Sequence, residues 1–354
     1  MATPTTTPLA DLTTLRLGGP ARRLVEAPDE AALVAEVRRA DRAGDPLLLL
    51  AGGSNVVVAD DGFPGTVVRI ATRGIAETGL ADGGVALEVQ AGEAWDPFVA
   101  RCVAEGLAGV ECLSGIPGSV GATPIQNVGA YGQEVAETIR SVRVLDRERD
   151  AAQEVAPAAC GFTYRSSAFK RTPGRWVVLA VTFALERSER SAPIRYAELA
   201  RALAVELGAR APLHDVREAV LRLRRAKGMV VDPADPDSVS AGSFFTNPIL
   251  SSTELATLPS EVPKFPEPDG RTKVSAAWLI ERAGFHRGQG DANGIAISAK
   301  HTLALTNRGA GTTAELVALA REIAGGVRDR FGVDLVPEPV FVGHAWDAAN
   351  DRSG

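Results

Sequence analysis

Residues 114–132 read Ser-Gly-Ile-Pro-Gly-Ser-Val-Gly-Ala-Thr-Pro-Ile-Gln-Asn-Val-Gly-Ala-Tyr-Gly, with five glycines and two prolines in nineteen positions. The apolar residues follow neither the period of two of a strand nor the 3.6 of a helix, so this stretch is no ordinary element. Glycine at this density permits positive φ and close approach of backbone to a ligand. The residues between are apolar or amide: Ile116, Val120, Ile125, Gln126, Asn127 and Val128. That mixture suits a flat ligand that is part apolar and part hydrogen-bonding, such as a flavin ring. The alternative is a plain surface loop, although surface loops seldom carry so many apolar residues.

A second glycine element lies upstream. Residues 47–51 form a short apolar run that reads as a buried strand, Gly52-Gly53-Ser54-Asn55 follows, and residues 56–59 read as another strand. Successive backbone N–H groups in such a turn form a nest that can hold a pyrophosphate. The turn leads into a strand, which argues against the Rossmann fingerprint and the P-loop, both of which open a helix. By itself the turn is equally well a hairpin. Paired with the later loop, it reads as the pyrophosphate end of a dinucleotide flavin site.

Composition narrows the function. The chain has 354 residues and a net charge of −6. That length fits roughly two or three domains with a proper core. The acidic balance argues against nucleic acid or an anionic membrane as partner. Cys102, Cys112 and Cys160 are odd in number and form no C-x-x-C, which suits buried free thiols. His214, His286, His301 and His344 have no metal-binding spacing and lie beyond the flavin half, so a metal and a histidyl-linked flavin are not expected. The N-terminal residues lack a basic and apolar leader and no run approaches eighteen apolar residues, so a cytoplasmic protein is expected. No exposed apolar repeat suggests a partner, and a monomer is expected. The two ends, to about residue 7 and from about 347, read as frayed tails.

Further elements follow from pattern. Residues 23–27 read as a strand, Asp29 caps a helix to Ala43, and Gly44 stops it. Strands are expected at 66–70, 85–91, 140–146 and 176–185, with a helix opening at Asp96-Pro97. A helix capped by Asp215 runs toward Lys227. Thr312 and Glu315 form a capping box for a long helix burying Leu316, Leu319, Ile323, Val327 and Phe331. The last strand is expected at 334–342, with Glu338 between Pro337 and Pro339.

The chain resembles the UDP-N-acetylenolpyruvoylglucosamine reductases, flavoenzymes of peptidoglycan precursor synthesis. The resemblance rests on Gly52-Gly53-Ser54-Asn55, the loop from Gly115 to Gly132, Tyr164-Arg165-Ser166-Ser167-Ala168-Phe169-Lys170, Ala241-Gly242-Ser243-Phe244-Phe245-Thr246-Asn247-Pro248 and Pro337-Glu338-Pro339. It spans about residues 14–343. Departures are Pro339, where members tend to carry an aliphatic residue, and a longer stretch at 229–240. The resemblance implies an α+β chain: a two-subdomain FAD-binding fold of the vanillyl-alcohol-oxidase type (1–70 and 71–190), a connector with a substrate loop (191–210), a substrate-binding domain (211–332) and a C-terminal strand and tail (333–354).

It further implies non-covalent FAD, NADPH as hydride donor and a UDP-sugar substrate. Cofactor residues would be Gly52, Gly53, Ser54, Asn55, Gly115, Ile116, Pro117, Gly118, Ser119, Gly121, Ala122, Gln126, Asn127, Gly129, Ala130 and Tyr131. Tyr164, Tyr196, Lys227 and Asn247 would hold the substrate, the last three at its pyrophosphate. The reaction adds hydride to C3 of an enolpyruvyl group and leaves negative charge at C2. An arginine can bind the neighbouring carboxylate in two-pronged fashion, which suits Arg165; a structural ion pair is its alternative. Ser243 suits proton donation to C2, against a helix cap. Glu338, stiffened by its prolines, suits orientation of substrate or proton relay, against a solvated glutamate. Two other functions stay open: a different FAD-dependent oxidase or dehydrogenase of the same fold, and a non-catalytic nucleotide-sugar binder.

Overall fold

The computed structural model describes residues 7–81 and 83–346, so the expected tails lie outside the described residues apart from Thr7. The chain divides into two compact units. The first holds residues 22–52 and 64–226. The second holds the described residues up to Ala21, residues 53–63 and the chain from Lys227 onward.

Local chemistry sets the first unit's elements. Asp29 accepts a hydrogen bond from Ala32 N at 2.8 Å and starts the helix Glu30–Ala43; Gly44, at φ 60°, ends it. Leu33, Val37 and Ala40 face inward at helical spacing. A three-stranded sheet orders Ala21–Ala27, Phe63–Ile70 and Leu47–Leu50, the last two parallel. A larger antiparallel sheet orders Ala151–Val155, Ile139–Asp146, Trp176–Arg187, Val85–Gln90 and Ile75–Gly79.

The long strand Trp176–Arg187 changes face partway. Its register against Ile139–Asp146 slips between Val178 and Ala180, leaving Leu179 as the extra residue. Because side chains alternate, a one-residue bulge moves the odd positions to the other face. Val177 and Leu179 accordingly pack with Leu33 and Val37, whereas Val181, Phe183 and Leu185 pack with Trp95 and Phe98. The bulge carbonyl of Leu179 accepts Ala91 N at 2.9 Å, fixing the segment that organises the site below.

The helix expected to begin at Asp215 instead spans Leu213–Ala226. Val216 N already bonds the Pro212 carbonyl at 3.1 Å, so Asp215 sits inside the first turn, where its charge favours the helix dipole. This helix belongs to the first unit, not to the C-terminal portion, because its apolar side packs with Cys112, Ile194 and Leu199. The expected connector holds a helix, Ala197–Leu203, and is closed at its base by Ser191 N to Ala211 O and Ile194 N to Ala209 O.

In the second unit, Thr312 and Glu315 form the capping box, and the helix Thr313–Phe331 follows. It buries Leu316, Ile323 and Val327; Leu319 and Phe331 are half-buried. It covers an antiparallel sheet ordered Ser240–Ser243, Ala304–Asn307 and Ile295–Ile297. The final strand is shorter than expected, Val340–Val342, because Pro337 and Pro339 have no N–H for a ladder. It runs parallel to Val56–Val58. The strands flanking Gly52–Asn55 therefore pair with different partners, Leu47–Leu50 with Phe63–Ile70 and Val56–Val58 with Val340–Val342, and the turn is not a hairpin.

All three cysteines are free and buried. Burial pushes the Cys102 thiol up to about 12 and that of Cys160 to about 11. No helix among the described residues is long and apolar enough to cross a membrane.

Candidate active site

In the first unit the glycine-rich loop is moulded on residues 91–96. Gly121 N bonds Ala91 O at 2.9 Å, Val120 N bonds Glu93 O at 2.8 Å and Trp95 N bonds Gly118 O at 3.1 Å. The buried Trp95 indole N–H donates to Leu113 O at 3.0 Å, and Asp96 Oδ1 accepts Gly115 N at 2.6 Å. Gly115 and Gly118 take positive φ, 73° and 114°, which side-chain-bearing residues rarely adopt.

Part of the glycine requirement comes from backbone meeting backbone, where the sequence pointed to a ligand. A Cβ on Gly52 would lie 2.5 Å from Gly118 Cα, so the two glycine elements touch directly. Gly52→Ala is therefore expected to cost about 1–3 kcal/mol of stability through overpacking, read from thermal melts. Gly325→Ala is the contrasting case: it sits mid-helix with open space around its Cβ, so alanine should raise stability by about 1 kcal/mol, read from thermal melts.

Within the cradle, Ser119 Oγ is buried and no described protein group bonds it. A neutral loop with an orphaned hydroxyl and glycine backbone fits the carbonyl and phosphate oxygens of a flavin dinucleotide. Asn127 behaves differently. Its amide donates to Glu134 Oε2 at 2.7 Å and Thr163 O at 3.2 Å and accepts from Ala136 N at 3.2 Å, so its side chain is spent on the fold.

Those bonds lead to Arg165. Thr163 and Ser166 exchange backbone hydrogen bonds at 3.0 and 3.1 Å, placing Tyr164 and Arg165 at the tip of a tight turn. Arg165 has φ 52°. Its Nη2 donates to Gly129 O at 2.9 Å, and its carbonyl accepts Lys170 Nζ at 3.2 Å. Asn127 and Tyr131 also have positive φ, 46° and 50°. Three expected site residues thus hold a conformation that costs non-glycine residues energy, as functional sites often do.

Tyr131 meets Tyr196 edge to face, with centroids 5.5 Å apart. Burial pushes the Tyr131 hydroxyl up to about 12. Tyr196 is exposed and directly precedes the helix Ala197–Leu203. Three charged residues here escaped the sequence reading. Asp96 pairs with Arg217 through two bonds, 2.6 and 2.9 Å. Burial lowers Arg224 to about 10, with Tyr131, Asp96 and Arg165 as its electrostatic neighbours. The available signal was two arginines seven residues apart beside an apolar helical stripe, Val216, Ala219, Val220 and Leu223.

The second unit carries Gly53, Ser54, Asn55, Lys227, Ser243, Asn247 and Glu338. Ser243 does not cap a helix. It ends the strand Ser240–Ser243, where one extra residue lies between the pairs Ser240–Thr306 and Ser243–Ala304. Gly242 takes up the bulge at φ 76°, and such bulges re-aim the following side chain. Phe244 and Phe245 behind it are buried. Glu338 N donates to Phe244 O at 2.8 Å, and Phe245 bridges Pro337, so Glu338 is fastened beside the residue that follows Ser243. Asn55 joins them: its Nδ2 donates to Glu338 O at 3.4 Å and its carbonyl accepts Val340 N at 2.9 Å. Gly53 fits because a Cβ there would lie 1.9 Å from Leu12 O. Asn247 Oδ1 accepts Ala276 N at 3.0 Å, at the start of the helix Ala276–Arg282. Lys227 precedes Gly228, which turns at φ 66° against the buried Asp237.

Comparison with known proteins matches two family models along the chain. Residues 21–150 match the FAD binding domain model, and residues 233–342 match the C-terminal domain model of UDP-N-acetylenolpyruvoylglucosamine reductase. The chain is 58% identical over 346 residues to the UDP-N-acetylenolpyruvoylglucosamine reductase of Thermobifida fusca, covering 95% of this chain and 97% of the relative. It is 56% identical to that of Streptomyces avermitilis, covering 95% and 94%. The crystal structure of the reductase from Thermus caldophilus superposes with a TM-score of 0.63 at 25% identity, covering 95% and 97%. The expected FAD-binding fold followed by a C-terminal α+β domain agrees with these matches.

Proposed function

The chain belongs to the UDP-N-acetylenolpyruvoylglucosamine reductase family, and from that premise we propose that Arg165, Ser243 and Glu338 carry out its reduction of the enolpyruvyl group in the cytoplasm. The protein is an FAD-binding oxidoreductase of peptidoglycan precursor synthesis. When bound, FAD would supply the hydride chemistry that links NADPH to C3 of the enolpyruvyl group. Negative charge then collects at C2 and spreads into the adjacent carboxylate. Arg165 meets that charge with a permanently cationic, two-pronged donor whose plane Gly129 O holds. Ser243 gives its hydroxyl proton to C2. A hydroxyl is a weak acid, but an enolate carbon is basic enough to take its proton. Glu338 orients the reacting group, and Tyr164, Tyr196, Lys227 and Asn247 hold the UDP-sugar.

The observation that supports this reading most is the fastening of Glu338 N to Phe244 O, which sets the carboxylate-bearing residue beside Ser243 on a bulged strand. The residues proposed to hold FAD are those the sequence suggested: Gly52, Gly53, Ser54, Asn55, residues 115–119, Gly121, Ala122, Gln126, Asn127, Gly129, Ala130 and Tyr131.

NADPH and the UDP-sugar must both deliver to or accept from one flavin position, so they are expected to bind in turn. Initial-rate plots should be parallel, with each substrate inhibiting at high concentration. Intersecting plots from a productive ternary complex would contradict alternate occupancy.

A further inference from the structure

Asp96 does more than begin a helix. It lies in the first turn of Trp95–Ala104, and its Oδ1 accepts both Gly115 N and Arg217 Nη1 at 2.6 Å, while Oδ2 accepts Arg217 Nη2 at 2.9 Å. Gly115 opens the glycine-rich loop at φ 73°. Arg217 comes from the helix Leu213–Ala226, 121 residues away in sequence. The Arg217 side chain is 16% exposed, so this is a semi-buried ion pair rather than a loose surface contact. Burial raises the Asp96 carboxyl, but Arg217 and the Gly115 N–H outweigh it and hold the group below its ordinary range.

The other bonds to the start of the loop come from the backbone of residues 91–95; farther along it, Ser167 Oγ donates to Ile125 O at 2.6 Å and Arg165 Nη2 to Gly129 O at 2.9 Å. Among the described residues, Asp96 links Gly115, the loop's first glycine, to Arg217 on a distant helix. The link has little stabilising logic of its own, because burying two charges costs desolvation that their attraction must repay. It has a positioning logic. A charged acceptor, itself held at two points by a planar guanidinium, leaves Gly115 N one direction in which to bond.

On the reading of this loop as the FAD cradle, we infer that Asp96 and Arg217 are a positioning pair, in which Arg217 acts through the Asp96 carboxylate on Gly115 N and so preorganises the loop for the cofactor. Neither residue is placed among the groups that touch the substrate. Arg217 need not touch the cofactor to affect its binding.

The test is FAD titration of apoprotein, followed by flavin fluorescence, with melting of each apoprotein as a second readout. Asp96→Ala should weaken FAD about tenfold or more, the loss of a charge-assisted hydrogen bond. Asp96→Asn keeps an acceptor oxygen without charge and should lose several-fold, about as much as Arg217→Met. Asp96→Ala/Arg217→Met should bind FAD no more weakly than Asp96→Ala, because Arg217 works only through Asp96. The bound flavin's visible band should shift in the same variants. FAD affinities within twofold of wild type, with lowered melting temperatures, would make the pair merely structural and overturn the inference. So would independent, multiplying losses in the double variant. Should Asp96→Ala not fold, Asp96→Asn and Arg217→Met decide on the same criterion. A wild-type apoprotein that takes up no FAD would overturn the cradle and this inference together.

Discussion

Replacing Ser243 with alanine is expected to slow hydride transfer to the UDP-sugar on the order of 10²-fold or more, the range of a lost general acid, while reduction by NADPH stays nearly unchanged. The asymmetry follows from chemistry: a proton at C2 is needed after hydride has reached C3 and at no earlier stage. Ser243 lies at the end of a bulged strand, half-buried, with Phe244 and Phe245 buried behind it. Its hydroxyl caps no helix, so the substitution removes no cap and should leave the melting temperature close to wild type. Anaerobic stopped-flow absorbance at the flavin band follows each half alone. Equal slowing of both halves, or of neither, would remove Ser243 from proton donation.

Arg165→Met should cut the same second half by about 10²- to 10³-fold, as when a preorganised donor is taken from a developing oxyanion. Arg165→Lys should recover little, because a lysine ammonium offers a point charge in place of two parallel N–H donors. The backbone at φ 52° is equally strained with any of these side chains, so backbone strain gives no competing explanation. The bond to Gly129 O adds a second consequence: without it the cradle loses one tie, and FAD affinity should fall slightly. A variant whose two half-reactions both keep wild-type rates would show that Arg165 is a structural residue of its turn.

Local signals in the sequence carried much of the fold. Asp29 and Gly44 bound a helix because a cap and a left-handed stop act within one turn, and Thr312 with Glu315 did the same. Long-range pairing was hidden. The turn at Gly52–Asn55 has strands on both sides, yet each pairs elsewhere, one with Phe63–Ile70 and one with Val340–Val342. No local rule predicts that choice. The site divides the same way. Glycines marked the cradle, but their need for space proved to be partly mutual, Gly52 against Gly118. From its neighbours alone Ser243 looked more like a cap, since a bulge depends on the register with Ala304–Asn307. The pairing of Asp96 with Arg217 and the burial of Arg224 went unread, because the contacts that define them join residues far apart in the chain.

The most direct measurement is anaerobic. The purified protein should carry a flavin absorbance that NADPH bleaches. Adding UDP-N-acetylglucosamine enolpyruvate without oxygen should restore it, with one UDP-N-acetylmuramate formed per flavin reoxidised. Absorbance that stays bleached until oxygen is admitted, with no UDP-N-acetylmuramate formed, would contradict the account and indicate an oxidase on the same fold.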